Sequence, residues 1–91
     1  MNTIPKETQA VISEVLDMEE ELNVDWDRVG ETCDKEIKRI NENGLGASIN
    51  GLPYHFLEDY DIRRKDSNYG EAQRRKIKLL LRDENPGQSP I

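Results

Sequence analysis

Apolar positions return at helical steps through most of the chain. Over residues 4–22, Ile4, Thr8, Val11, Val15, Met18 and Leu22 recur every three or four residues, with Ile12 and Leu16 widening the stripe. Glu14, Asp17, Glu19, Glu20 and Glu21 fall mostly between them, on the side that a helix turns to water. The spacing predicts a helix from residue 4 or 5 to 22. Pro5 fits its first turn, where no backbone N–H is required. Several acids stand near its C-terminal end, where the helix dipole disfavours negative charge. Basic residues from elsewhere in the fold, or from a partner, are therefore expected to meet them.

The second segment is the most regular. Trp26, Val29, Cys33, Ile37 and Ile40 repeat at steps of three and four, the period of a buried helical seam. Asn23 and Asp25 are candidate caps at its start, and Asn43 with Gly44 reads as its stop. Glu31 and Lys35 stand in the favourable i,i+4 order. The short gap between Leu22 and Trp26 makes the first two helices neighbours in an antiparallel hairpin.

After Ser48, Asn50 and Gly51, a third helix opens at Leu52 and Pro53, with Phe56, Leu57 and Tyr60 as its inward residues. A short strand over residues 54–56 is the alternative, because aromatic residues favour strands. Asp66, Ser67 and Asn68 supply turn chemistry. A last helix over about 68–83 turns Gln73, Ile77, Leu80 and Glu84 to one face, with Tyr69, Ala72 and Leu81 extending the contact. Asn85, Pro86 and Gly87 end it. The fold class is thus all-α, a small four-helix domain over residues 1–85, with 86–91 as a loose tail. A three-helix core with an appended hairpin is the alternative topology.

With 91 residues, 34% hydrophobic and 35% charged, the chain is long enough for one core and too short for two. No run of about 18 apolar residues is present, so no membrane span is expected. The first residues lack the pattern of a secretory signal. A single cysteine forms no internal disulfide and suits the reducing cytoplasm.

Charge changes the picture more than composition does. The net value of -6 conceals an asymmetry: residues 1–36 hold 11 acids and 3 bases, whereas residues 37–91 hold 8 acids and 10 bases. Arg63, Arg64 and Lys65 form one basic cluster, and Arg74, Arg75, Lys76, Lys78 and Arg82 form another on the last helix. An acidic hairpin and a basic helix in one chain favour a complementary protein partner or pairing with a second copy as a homodimer. Mutual neutralisation within one monomer is the competing outcome. Leu79, Leu80 and Leu81 cover more than one helix face, so at least one of them is expected to meet the 44–53 loop or another subunit. Nucleic-acid binding through the C-terminal helix is a further alternative, opposed by the overall negative charge and by the lack of a basic surface interleaved with aromatics.

Few residues invite catalysis. His55 has Glu58 and Asp59 within one turn, a local pairing more than a metal set. Cys33 lies within the apolar seam of the second helix and reads as a small core residue. The acids are more suggestive. Asp17, Glu20 and Glu21 precede Glu31 and Asp34, which are i,i+3 neighbours, and oxygen ligands from two facing helices suit Mg²⁺. This spacing resembles the ExxEE and ExxD pattern of the all-helical MazG-type nucleotide pyrophosphohydrolases, over residues 17–34. Aspartate stands at position 17 in place of glutamate, and the two clusters are closer together than in that family. The resemblance implies Mg²⁺-dependent removal of pyrophosphate from a nucleotide by acids of the first two helices.

The reading that best joins these features is a small cytoplasmic interaction or regulatory module with no cofactor, no metal and no catalytic residue. Its contact residues are Glu20, Glu21, Glu31 and Asp34 on the acidic side, Arg74, Arg75 and Lys78 on the basic side, and Trp26 as an aromatic anchor.

Overall fold

The computed structural model describes residues 4–44 and 51–84. These residues form five helices and no strand: α1 (Lys6–Glu19), α2 (Trp26–Glu42), α3 (Leu52–Glu58), α4 (Tyr60–Lys65) and α5 (Ser67–Glu84). The all-α class is as the periodicity predicts. The expected third helix is divided at Asp59, which raises the helix number from four to five. The 86–91 tail and most of the 44–53 loop lie outside the described residues.

Each boundary has a local cause. Pro5 caps α1, and the helix closes at Glu19, where Glu20 and Glu21 carry their N–H groups onto carbonyls of the last turn. The helix therefore stops short of Leu22, which is fully exposed rather than part of the apolar stripe. Three consecutive acids with no cation in the last turn make further α-helix unfavourable there. The Asp25 side chain accepts the Arg28 N–H at 3.2 Å and caps α2. Asn43 and Gly44 end it, with Gly44 in the left-handed region at φ 66°.

α1 packs on α2, α2 on α3 and α4, and α5 on α3 and α4. Thr8, near the start of α1, meets Glu36 and Arg39 near the end of α2, so the first two helices run antiparallel as expected. The described residues make a slab 37 × 34 × 17 Å. Every helix carries residues exposed to water. The core is formed by Ile12, Val15 and Leu16 of α1, Val29, Cys33 and Ile40 of α2, Phe56 and Leu57 of α3, and Ile77 of α5. Burying each of the large members contributes about 1.5–3 kcal/mol.

Charged residues occupy seats in this core that the apolar pattern assigned to water. Glu36 is buried on the α2 seam, while Ile37 is only half-buried. Glu36 Oε2 accepts from Thr8 Oγ1 at 2.7 Å, and its carboxylate is gripped by the Arg39 guanidinium at 2.9 and 2.7 Å. Burial is the largest single influence on this carboxyl and opposes its ionisation. The hydrogen bonds from Arg39 and Thr8, with the Arg39 charge, together outweigh burial and hold the carboxyl below its usual range.

Glu19 is likewise buried, against the expectation of a wet face. Arg63 comes away from its expected surface cluster to meet it, with neither side chain exposed. Arg63 Nε lies 2.9 Å from Glu19 Oε1, and Nη2 lies 2.8 Å from Oε2. The remaining nitrogen of Arg63 donates to Gln73 Oε1 at 2.7 Å and to the Phe56 carbonyl. That carbonyl belongs to the last turn of α3, where a helix leaves acceptors without intrahelical partners. The guanidinium carbon sits 3.9 Å from the centre of the Phe56 ring. Arg74 adds a second cation to Glu19 at 2.8 Å, and Lys78 pairs with Glu20. Of the acids expected to strain the end of α1, Glu19 and Glu20 are thus met from α4 and α5 within the same chain. Gly70 permits the close approach of α5, since a Cβ there would stand 3.3 Å from both the Cβ and the carbonyl oxygen of Arg63.

Candidate interaction surface

The packing of α4 across the start of α2 makes a surface depression of about 320 Å³ that is both acidic and aromatic. Trp26, the first residue of α2, is half-buried on its apolar side against the core. One turn on, Gly30 has no side chain, and the ring of Tyr60 from α4 fills the space: a Cβ at position 30 would lie 2.7 Å from Tyr60 Cε1. Trp26 and Tyr60 therefore share the depression because a glycine separates the turns of α2 beneath them.

Four carboxylates line it, Asp27, Glu31 and Asp34 from α2 and Asp61 from α4. The first three follow from helical spacing, at i, i+4 and i+7. Asp34 accepts the Tyr60 hydroxyl through both oxygens, at 3.2 and 3.1 Å. Burial, then the hydrogen bond and charge of Asp34, pushes the Tyr60 phenol above its ordinary range, so it stays a neutral donor. Arg64 is the one cation in the lining, and it lies 3.9 Å from Asp27, with both side chains largely exposed. Asp61 is paired with Lys65 at 3.3 Å on the open surface. Among the described residues Glu31 has no ion pair, and none joins it to Lys35.

Of the residues proposed from sequence as contacts, Trp26, Glu31 and Asp34 are brought together here. Glu20 and Lys78 are paired with each other, and both remain about half exposed. Arg74 is turned inward onto Glu19. Glu21 and Arg75 are exposed and lie outside the depression. Asp27 and Asp61 carry no expectation from the sequence, Tyr60 is expected only as an inward residue of the third helix, and Arg64 only as part of a basic cluster. The glycine inside the second helix was the available signal for Tyr60, because an interior glycine costs about 1 kcal/mol against alanine and marks close approach when retained.

Other features offer less. A shallow cleft of about 490 Å³ between α1 and α2 is lined by Glu36 and Arg39, which already satisfy each other, and by mixed charges around them. A third depression of about 360 Å³ holds His55 and Asp59. His55 Nδ1 stands 3.5 Å from Glu58, and Asp59 instead accepts from Tyr69 and Gln73 at 2.7 and 3.0 Å. Cys33 is fully buried, and burial above all pushes its thiol up to about 12. Among the described residues, no three acids, histidines or cysteines are grouped to hold a metal ion. No helix among them is long and apolar enough to cross a membrane.

Comparison with protein-family models, with curated proteins and with solved structures gave no match.

Proposed function

We propose that this chain is a small cytoplasmic protein-interaction module whose contact surface is the depression between α2 and α4, and that its partner is a protein segment carrying arginine or lysine. The observation that carries this reading is the placement of Trp26 and Tyr60 amid Asp27, Glu31, Asp34 and Asp61, with Arg64 as the one opposing charge in the lining. Carboxylates set around two aromatic rings suit a guanidinium, which combines bidentate hydrogen bonding with stacking. Aromatic residues at a half-open surface are the usual anchors of such contacts. The surrounding acids raise the encounter rate with a basic partner and make it salt-dependent. The cytoplasmic assignment rests on cysteine usage, a single cysteine that forms no internal disulfide.

Calorimetric titration with an arginine-rich peptide tests this reading. Reversing two acids of the depression, Glu31→Lys with Asp34→Lys, is expected to abolish binding. Reversing two exposed acids of α1, Glu14→Lys with Asp17→Lys, changes net charge equally and is expected to weaken it only slightly. Equal losses in the two variants would contradict a defined contact surface.

A further inference from the structure

The exposed stripe of α2 that borders the depression reads Asp27, Glu31, Asp34, Lys38. These positions stand at i, i+4, i+7 and i+11, on one narrow face. The exposed stripe of α5 reads Glu71, Arg75, Lys78, Arg82, at i, i+4, i+7 and i+11. Laid antiparallel, the two stripes match rung for rung: Asp27 meets Arg82, Glu31 meets Lys78, Asp34 meets Arg75, and Lys38 meets Glu71. The charge reverses on both helices at the same rung, so a shift along the axis, or a parallel arrangement, sets like charges together. At about 1.5 Å per residue, each stripe spans about 16 Å.

From this register we infer that the partner is a second copy of this chain, with α5 of one copy lying antiparallel across the α2 face of another. The inference rests on the reading of the depression as a protein contact surface and names its occupant. Leu79 is 54% exposed and lies about 100° around α5 from Lys78, on the flank of the stripe. On the receiving helix the Tyr60 ring fills the notch that Gly30 leaves, next to Trp26. Among the described residues, Arg75, Arg82, Lys38 and Glu71 make no ion pair. Lys78 pairs with Glu20 at the surface, an interaction weak enough to exchange for Glu31. The α4 cations beside the receiving face, Arg64 and Lys65, stand against Asp27 and Asp61.

Sedimentation equilibrium of the full chain, at low and at high salt, tests the inference. The native chain is expected to associate at low salt and to dissociate as salt screens the rungs. Glu31→Lys with Asp34→Lys, and separately Arg75→Glu with Arg82→Glu, are each expected to be monomeric, since each sets like charges on the facing helix. Mixing the two variants restores complementary rungs in one orientation, and association is expected to return. All of these substitutions are at exposed positions, and far-UV circular dichroism checks that the helices persist. A native chain that stays monomeric at low salt overturns the inference, as does association unaffected by either variant or not restored by mixing. A monomeric native chain that still binds the arginine-rich peptide overturns only the second copy as partner and leaves the contact surface standing.

Discussion

Glu19 and Arg63 lie 44 residues apart in sequence and are fully buried against each other, carboxylate to guanidinium, at 2.8–3.1 Å. This contact joins the end of α1 to α4, and Arg74 extends it to α5. Nothing polar in the group is left over, since among the described residues no buried side-chain nitrogen or oxygen lacks a partner. Ion pairs of this kind contribute less to stability than they cost when broken, because removing one member strands a buried charge.

Arg63→Met is accordingly expected to destabilise the domain by about 3–5 kcal/mol, measured by urea denaturation. Arg63→Lys recovers only part of the loss, because one ammonium cannot reach Glu19, Gln73 and the Phe56 carbonyl together. A loss below about 1 kcal/mol, the range of exposed pairs, would show that water reaches Glu19.

Acid sensitivity has a source at Glu36. Its carboxyl is held below the ordinary range in the folded chain, so it adds stability that is fully present above the unfolded value of 4.5 and is lost as pH falls through the lower folded value. Glu36→Gln is expected to flatten the decline of stability on acidification below that value. Following the denaturation midpoint against pH in both chains checks the sign, and parallel curves would contradict it.

Cys33 is expected to be inert to alkylation in the native protein near neutral pH, because it is buried and its thiol is pushed up to about 12. Labelling by iodoacetamide then follows the opening of the core, and its rate rises in denaturant as the folded fraction falls. Fast labelling of the native chain would contradict a closed seam between α2 and its neighbours.

Gly30→Ala separates the contact surface from the core. The added methyl drives the Tyr60 ring from its seat and disrupts its hydrogen bond to Asp34. Alanine also gains about 1 kcal/mol of helix propensity, which offsets much of the overpacking cost of about 1–3 kcal/mol. The expected result is a small change in denaturation midpoint with a large loss of peptide binding. Loss of both in proportion would place Tyr60 in the core alone.

Much of the architecture follows from local pattern. The Trp26–Val29–Cys33–Ile40 spacing, the Asp25 cap and the Asn43–Gly44 stop together define α2, because backbone geometry and apolar period act within a few residues. The charged seats are different in kind. Glu19 and Arg63 read as solvent-facing because isolated charges are almost never fully buried, and the contact that reverses this spans distant helices. The same holds for the surface. Trp26, Glu31 and Asp34 were recognisable on one helix, whereas Tyr60 and Asp61 join them only through the packing of α4 on α2. Leu22 shows the opposite error, an apolar residue at the right period but beyond the point where the acids of α1 end the helix.

The chain has one tryptophan, and it lines the proposed contact surface, so its emission reports on that surface alone. Titrating the arginine-rich peptide while following Trp26 fluorescence is the most direct measurement. A saturable change that weakens with salt, and that is absent in the Glu31→Lys, Asp34→Lys chain, is the expected result. Emission that stays constant at saturating peptide, or that changes identically in the reversed variant, would contradict the depression between α2 and α4 as the place where this protein meets a partner.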